Sequence, residues 1–138
     1  QAVSLLGIPQ IILETVRAAD LGPLAVLFAV ILVYLVLGCF FDGLSLMIMT
    51  LPILVPLMVG LGYDPIWLGV IITIMIEIGQ VTPPVGLNLS VLVSVTKEKV
   101  TLGEVAMATM PYWLILLVGI MLLTAIPQIA LFLPSKLM

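Results

Sequence analysis

The chain has 138 residues, of which 64% are hydrophobic and 8% are charged, and its formal net charge is −3. A soluble domain carries about a quarter charged residues, so this composition excludes an ordinary soluble domain and predicts a membrane protein. The few Lys and Arg residues form no basic patch that would bind nucleic acid, and a single cysteine, Cys39, with no histidine excludes an internal disulfide framework and a Cys/His metal site.

The first predicted element is a short amphipathic helix over residues 8–20. Its apolar residues gather on one face, while Glu14, Arg17 and Asp20 lie on the other. This separation is typical of a helix that lies at a membrane surface, and the Leu-Gly-Pro sequence that follows ends it. The chain has no initiator Met and no signal-peptide pattern, so we expect it to be the C-terminal part of a larger protein.

Two apolar runs, Leu24–Phe41 and Leu46–Gly60, flank the short stretch FDGLS. The second run is short for a span of about 20 residues and contains Pro52 and Pro56, each of which lacks a backbone donor. Interrupted backbone inside a bilayer must face protein or water. We therefore favour a re-entrant helical hairpin over two full spans joined by an Asp-Gly turn.

The apolar stretch after the loop LGYDP is long for one straight helix, and Gly, Thr and two Pro residues interrupt it. We predict two half-helices, Ile66–Gly79 and Val85–Val95. Gly79 would allow an irregular exit from the first half. Thr82 would be the N-cap of the second half, with Pro83 at its first position.

This interruption is predicted to be rich in hydrogen-bond acceptors. The first half-helix would end in free carbonyls from Ile76 to Gly79, while Pro83 and Pro84 remove two donors from the second. An oxygen-lined pocket at the negative end of a helix dipole suits Na⁺, and the remaining donors suit a carboxylate. The alternative is a proline kink that only shapes packing.

Two ionisable residues, Asp42 and Glu77, are flanked by apolar runs and are candidate functional or proton sites. Asp42 has a simpler alternative as a solvated turn residue, and Glu77 as a neutral acid that bonds to a neighbouring helix. If the hairpin is re-entrant, its tip would lie at depth and could meet the interruption at Thr82. Gly43 and Ser45 would then contribute oxygen atoms to the same pocket.

The last part of the chain is predicted to contain a second interfacial helix and a final span. The helix would cover Thr101–Met110 and begin with a capping box that includes Glu104. The span would cover Tyr112–Leu133, with Tyr112 and Trp113 as interface anchors. Pro127 is expected to kink it.

These elements divide the chain into three parts. Residues 1–23 form the interfacial amphipathic helix. Residues 24–95 form part of a transport domain, composed of the hairpin 24–60 and the discontinuous helix 66–95. Residues 96–138 contain the interfacial helix and the final transmembrane span.

Three stretches together resemble a known family: GCFFDGLSLMIMTLPILVPLMVGLGYDP, EIGQVTPPVGLNLSV and PYWLILLVGIMLLTAIPQIALFLP. They are similar to the C-terminal half of the large membrane subunit of TRAP transporters, the DctM-like proteins, most strongly from Gly38 to Val95. The resemblance implies an all-α integral membrane fold of the inverted-repeat elevator kind. This chain would supply the second repeat, with a re-entrant hairpin and a discontinuous helix, and the first repeat with its half of the sites lies outside it.

The resemblance also implies a function. Such subunits are Na⁺-coupled importers of small organic anions, often C4-dicarboxylates or sialic acid, in the bacterial inner membrane. Their partners are a small DctQ-like membrane subunit and a periplasmic DctP-like binding protein, and Na⁺ is the coupling ion with no other cofactor. The candidate Na⁺ ligands are Gly43, Ser45, Gly79 and Thr82. The candidate substrate-binding residues are Pro83, Pro84, Val85, Gly86 and Asn88.

Two other readings of the sequence stay open. The chain could be a membrane scaffold or assembly subunit without a transport site of its own. An intramembrane enzyme is a weaker reading, because the sequence has no Ser/His, paired-Asp or HExxH arrangement, although Asp42 and Glu77 could in principle form a carboxylate pair. We therefore predict no catalytic residue and no enzymatic activity.

Overall fold

A computed structural model describes residues 7–82, 86–96 and 100–137. Within these ranges the protein is entirely helical, with seven α-helices and no strands. In chain order the helices are α1 (Ile8–Ala18), α2 (Pro23–Gly38), α3 (Gly43–Gly60), α4 (Pro65–Gln80), α5 (Leu87–Val95), α6 (Leu102–Ala125) and α7 (Gln128–Leu137). By length and composition, α3 and α6 are the two described helices that could cross a membrane.

The predicted amphipathic helix at the start of the chain is confirmed as α1, and it packs against the C-terminal end of α3. The Arg17 guanidinium donates to the backbone carbonyl of Gly60 at 3.0 Å. A Cβ atom at Gly60 would come within 2.8 Å of Leu13 Cδ2, so the glycine allows α1 to approach closely. A basic side chain on the last carbonyl of α3 also complements the negative end of that helix.

The FDGLS stretch includes the end of a turn between two helices, as predicted: α2 ends at Gly38 and α3 begins at Gly43. Proline at the first position begins α2, and Asp42 is the N-cap of α3. The buried Tyr34 hydroxyl forms a hydrogen bond with the Thr50 hydroxyl, which donates to the Leu46 carbonyl at 2.6 Å, so the two helices are joined partway along. Pro52 and Pro56 lie inside α3 without ending it.

The core of the protein surrounds α4. Pro65 begins this helix, and Asp64 caps it by accepting hydrogen bonds from the Ile66 and Trp67 amides at 2.8 and 3.1 Å. One face of α4 is fully buried and packs most extensively against α2. The side chains on this face are Trp67, Leu68, Ile71, Ile72, Met75, Ile76 and Ile78.

The predicted helix interruption is confirmed, because α4 ends at Gln80 and α5 begins only at Leu87. Its caps differ from the prediction. Thr82 is not the N-cap of the second half-helix; that position is Gly86, whose φ of +44° is in the left-handed region that glycine tolerates. Gly79 is not an irregular exit either, because it lies inside α4. Pro83, Pro84 and Val85 lie outside the described residues.

The predicted interfacial helix and the first part of the predicted final span form one helix, α6. The capping box is confirmed: Glu104 N–H donates to Thr101 Oγ1 at 3.3 Å, and Thr101 N–H donates to Glu104 Oε2 at 2.8 Å. However, α6 continues through Pro111, so the prediction of a separate interfacial helix before the span was wrong. One missing donor does not end a helix whose sides pack on its neighbours α4 and α5. A kink was expected at Pro127, but the helix stops there: α6 ends at Ala125 and α7 begins at Gln128.

Candidate functional site

The turn between α2 and α3 lies against the last turn of α4. A Cβ atom at Gly79 would come within 2.7 Å of Gly38 Cα and 3.3 Å of the Tyr34 carbonyl oxygen, so the two helix backbones touch. On the other side of the turn, Gly43 packs against Gln80 and lies so close to Ile76 that a Cβ would be 2.7 Å from its Cγ2 atom. This turn is called the tip below. Gly38 and Gly43, on its two sides, therefore let the tip pack closely at the start of the helix interruption.

Asp42 and Ser45 interact with each other at the tip. The Ser45 amide donates to Asp42 Oδ1 at 3.0 Å, which makes the carboxylate the N-cap of α3. Asp42 is exposed and Ser45 is half-buried. An N-cap carboxylate stabilises the free amides and the positive end of its helix. Asp42 thus has a local role in starting α3.

A cleft of about 270 Å³ lies between Glu77 and the tip. Thr73, Glu77 and Gln80 line its α4 side, and Gly43 lines the other. The Glu77 side chain is exposed, and Thr73 donates to the Gly69 carbonyl at 2.9 Å. Glu77 and Thr73, one turn apart on α4, therefore form a polar stripe that opens beside the tip.

Thr82 is held by two short hydrogen bonds. Its hydroxyl donates to the Ile78 carbonyl at 2.5 Å and accepts from the Trp113 indole N–H at 2.6 Å. The Thr82 amide also donates to the Gly79 carbonyl at 3.1 Å. Thr82 therefore completes the C-terminus of α4 instead of starting α5, and the carbonyls of Ile78 and Gly79, expected to be free, have donors.

Gly86 brings the two ends of the interruption together. It is buried, and a Cβ atom there would lie 3.2 Å from the Thr82 carbonyl oxygen. Asn88, in the first turn of α5, is exposed. The structure thus brings Thr82 close to Gly86, and Gly43 close to the end of α4. Among the described residues, no contact is seen between Asn88 and the tip.

Within the described ranges, no group of three His, Cys, Asp or Glu residues could hold a metal ion. The oxygens described at the end of α4 are backbone carbonyls and the Thr82 hydroxyl. The negative end of the α4 dipole favours positive charge at this place. These oxygens fit a hard monovalent cation better than a transition metal.

Sequence reasoning missed Trp113, which was interpreted as an interface anchor. The indole is half-buried and bonded to Thr82, beside a largely apolar cavity of about 320 Å³ between the interruption and α6. The available signal was the indole N–H itself, because a buried tryptophan usually has a hydrogen-bond acceptor. Finding that acceptor required the tertiary structure.

Comparison with known proteins gives the family. Residues 1–129 match the model of the family described as "Tripartite ATP-independent periplasmic transporter, DctM component". The chain belongs to the DctM family. This confirms the resemblance found in the sequence, and a family of transporter components agrees with the prediction that the chain is not an enzyme.

Several curated relatives are similar to this DctM-family chain. The C4-dicarboxylate TRAP transporter large permease protein DctM of Pseudomonas aeruginosa is 41% identical over 128 residues, which are 93% of the chain and 30% of that protein. The DctM protein of Vibrio cholerae is 37% identical over 95% of the chain and 28% of its own length. The sialic acid TRAP transporter permease protein SiaT of Haemophilus influenzae is 36% identical over 88% of the chain and 19% of its own length.

The chain therefore spans less than a third of the length of these relatives. No solved structure matches it.

Proposed function

We propose that this chain forms part of a Na⁺-coupled secondary transporter that imports small organic anions. The observation that carries the proposal is the docking of the α2–α3 tip onto the end of α4, next to the helix interruption. Discontinuous helices whose carbonyl ends face cations and whose N-termini face anions are the recurrent sites of secondary transporters.

The proposed Na⁺ ligands come from both sides of this contact. Gly79 lies in the last turn of α4 and Thr82 just after it, and Gly43 and Ser45 belong to the tip that packs on this helix end. The Thr82 hydroxyl has one lone pair left after its two hydrogen bonds. Backbone oxygens of the tip and the interruption would complete the shell.

The proposed substrate site lies on the other half of the interruption. Gly86 and the first turn of α5 present the positive end of a helix, which suits a carboxylate, and the Asn88 amide is exposed beside it. Pro83, Pro84 and Val85, which lie outside the described residues, stay candidate substrate-binding residues. Asp42 and Glu77 stay candidate ionisable sites, and the cleft that Glu77 shares with Gly43 supports a role for Glu77 near the pathway.

The architecture that we propose is the second inverted repeat of an elevator-type transporter. In it, α2 and α3 form a re-entrant hairpin, and α4 and α5 form the discontinuous helix, within a transport-domain part at residues 24–95. The protein would lie in the bacterial inner membrane and work with a small DctQ-like subunit and a periplasmic DctP-like binding protein. The substrates named for its relatives suggest a C4-dicarboxylate or sialic-acid-like anion.

One observation favours the rival reading, a scaffold without a transport site. The Thr82 hydroxyl already bonds to two protein groups, as a purely structural residue would. The two readings differ in whether removal of this hydroxyl changes the response to Na⁺.

The test is uptake by the complete transporter in proteoliposomes, with its small subunit and binding protein, using labelled C4-dicarboxylate and sialic acid as separate probes. We expect uptake to require a Na⁺ gradient, and Thr82→Val to raise the half-saturating Na⁺ concentration about tenfold or more, whereas Thr82→Ser should retain the response. Thr124→Val is the matched control, because Thr124 makes the same bond to a backbone carbonyl, that of Ile120, on α6. Uptake that is unchanged when K⁺ replaces Na⁺ would refute the proposal.

A further inference from the structure

We infer that Trp113 is a positioning residue for Na⁺ binding, acting through the hydroxyl of Thr82. The inference rests on the proposed function and extends it to a helix that lies outside both the hairpin and the discontinuous helix. The donor is the indole N–H of Trp113 on α6, and the acceptor is Thr82 Oγ1 in the interruption, 2.6 Å away.

The hydrogen-bond chemistry leaves the Thr82 hydroxyl only one arrangement. An indole nitrogen can only donate, so Thr82 Oγ1 must accept from Trp113. The hydroxyl proton must then point to the Ile78 carbonyl, 2.5 Å from Oγ1. One lone pair remains, and its direction is set by the other two bonds.

Without Trp113 the Thr82 hydroxyl keeps only its bond to the Ile78 carbonyl. With one bond in place of two, the hydroxyl can more easily break that bond and turn to another acceptor, so its lone pairs are held less firmly in one direction. A cation ligand that must first be oriented binds more weakly than a ligand already in place. Trp113 thus reduces the entropy that Na⁺ binding would otherwise have to overcome.

The fold explains how α6 reaches the interruption. This helix continues through Pro111 and packs against both α4 and α5, so Trp113 faces the point where the two half-helices meet. The chain contains one more tryptophan, Trp67, whose indole also donates across to another helix, but to the backbone carbonyl of Leu123. Trp67 is therefore a matched control with the same chemistry and no contact with Thr82.

The experiment compares variants of the complete transporter in Na⁺-dependent uptake. For Trp113→Phe we expect the half-saturating Na⁺ concentration to rise about two- to tenfold, with the maximal rate largely retained. Trp113→Gln keeps an N–H donor at the same number of bonds from Cα and should lie closer to the unaltered protein. Trp67→Phe should leave the half-saturating concentration unchanged.

A double variant separates positioning from general packing. In a Thr82→Val background the hydroxyl is absent, so Trp113→Phe should cause no further change in the Na⁺ response. Three results would overturn the inference while leaving Na⁺ coupling intact. The first is a further rise of the same size in the double variant. The others are a half-saturating Na⁺ concentration that Trp113→Phe alone leaves unchanged or lowers, and a larger defect in Trp113→Gln than in Trp113→Phe.

A second measurement covers a variant with too little transport to analyse. The rise in thermal unfolding temperature caused by Na⁺ in detergent should be smaller in Trp113→Phe than in the unaltered protein, and an equal rise would overturn the inference. Uptake by the unaltered transporter without any need for Na⁺ would overturn the proposed function itself, and this inference with it.

Discussion

Trp67 on α4 donates its indole N–H to the backbone carbonyl oxygen of Leu123 on α6, at 2.8 Å. In an uninterrupted helix this carbonyl would accept the amide of residue 127, but that residue is Pro127 and has no N–H. The tryptophan therefore supplies the donor that the proline removes. This bond fastens the end of α6 to the core of the protein.

The first prediction concerns this replacement donor. Trp67→Phe should lower the free energy of unfolding by about 1–3 kcal/mol, because a partly buried carbonyl loses its partner. Pro127→Ala in the same background restores an amide at the right position and should recover part of the loss. Thermal unfolding of the purified transporter in detergent measures both changes, and equal losses in the single and double variants would contradict this explanation.

The second prediction concerns the contact between Gly38 and Gly79. Gly79→Ala would place a Cβ atom 2.7 Å from Gly38 Cα, and a backbone cannot move aside as a side chain can. We expect a loss of about 1–3 kcal/mol in stability and a clear fall in uptake. Gly69→Ala is the matched control on the same helix, because its new Cβ would have nothing within 4 Å. Similar behaviour of the two variants would show that the helices do not touch as described.

The third prediction is that Gly43→Ala will be milder than Gly79→Ala. The added methyl group would meet the end of the flexible Gln80 side chain, which can rotate away, and Cγ2 of the buried Ile76, which would have to shift slightly, whereas no backbone atom is in the way. We expect a loss of less than about 1 kcal/mol in stability. Gln80→Ala in the same background should remove most of the effect, since it empties the space beside residue 43. Unfolding measurements on the single and double variants test this order.

The fourth prediction tests the bond between the two helices of the hairpin. Tyr34→Phe removes the hydroxyl that bonds to Thr50 and should lower stability by about 1 kcal/mol. Thr50 keeps its bond to the Leu46 carbonyl, so the loss should stay limited. Tyr112→Phe, at a position 69% exposed, serves as the control and should have no measurable effect on unfolding.

The fifth prediction concerns the attachment of α1. Arg17→Met keeps the apolar stem but removes the donor to the Gly60 carbonyl. Because Arg17 is exposed, we expect a small change in global stability, of less than about 1 kcal/mol. Hydrogen exchange in α1 should nevertheless become faster, and Glu14→Gln on the same helix should not change it. Unchanged exchange in Arg17→Met would mean that packing through Leu13 is sufficient to dock α1.

Several helix boundaries could be predicted from local chemistry. The capping box of Thr101 and Glu104 was read from its spacing, and the stop near Gln80 followed from the Gly, Thr and Pro residues beside it. The continuity of α6 through Pro111 could not be predicted in this way. Local propensity counts the missing donor, whereas packing on neighbouring helices offsets it.

The candidate site, too, was only partly predictable from the sequence. That an interruption would occur followed from the residue types. That Thr82 completes α4 and not α5 did not follow, because a threonine hydroxyl can bond backward or forward along the chain with similar ease. The bond from Trp113 selects between these options.

The sequence alone determined that the chain is apolar and helical, with a turn at Asp42 and an interruption before Leu87, because glycine, proline and capping side chains act within three or four residues. The tertiary structure decided which distant groups meet. Gly38 touches Gly79, Trp113 reaches back 31 residues to Thr82, and Trp67 reaches forward 56 residues to Leu123. Such contacts depend on how whole helices pack, and no local pattern encodes that.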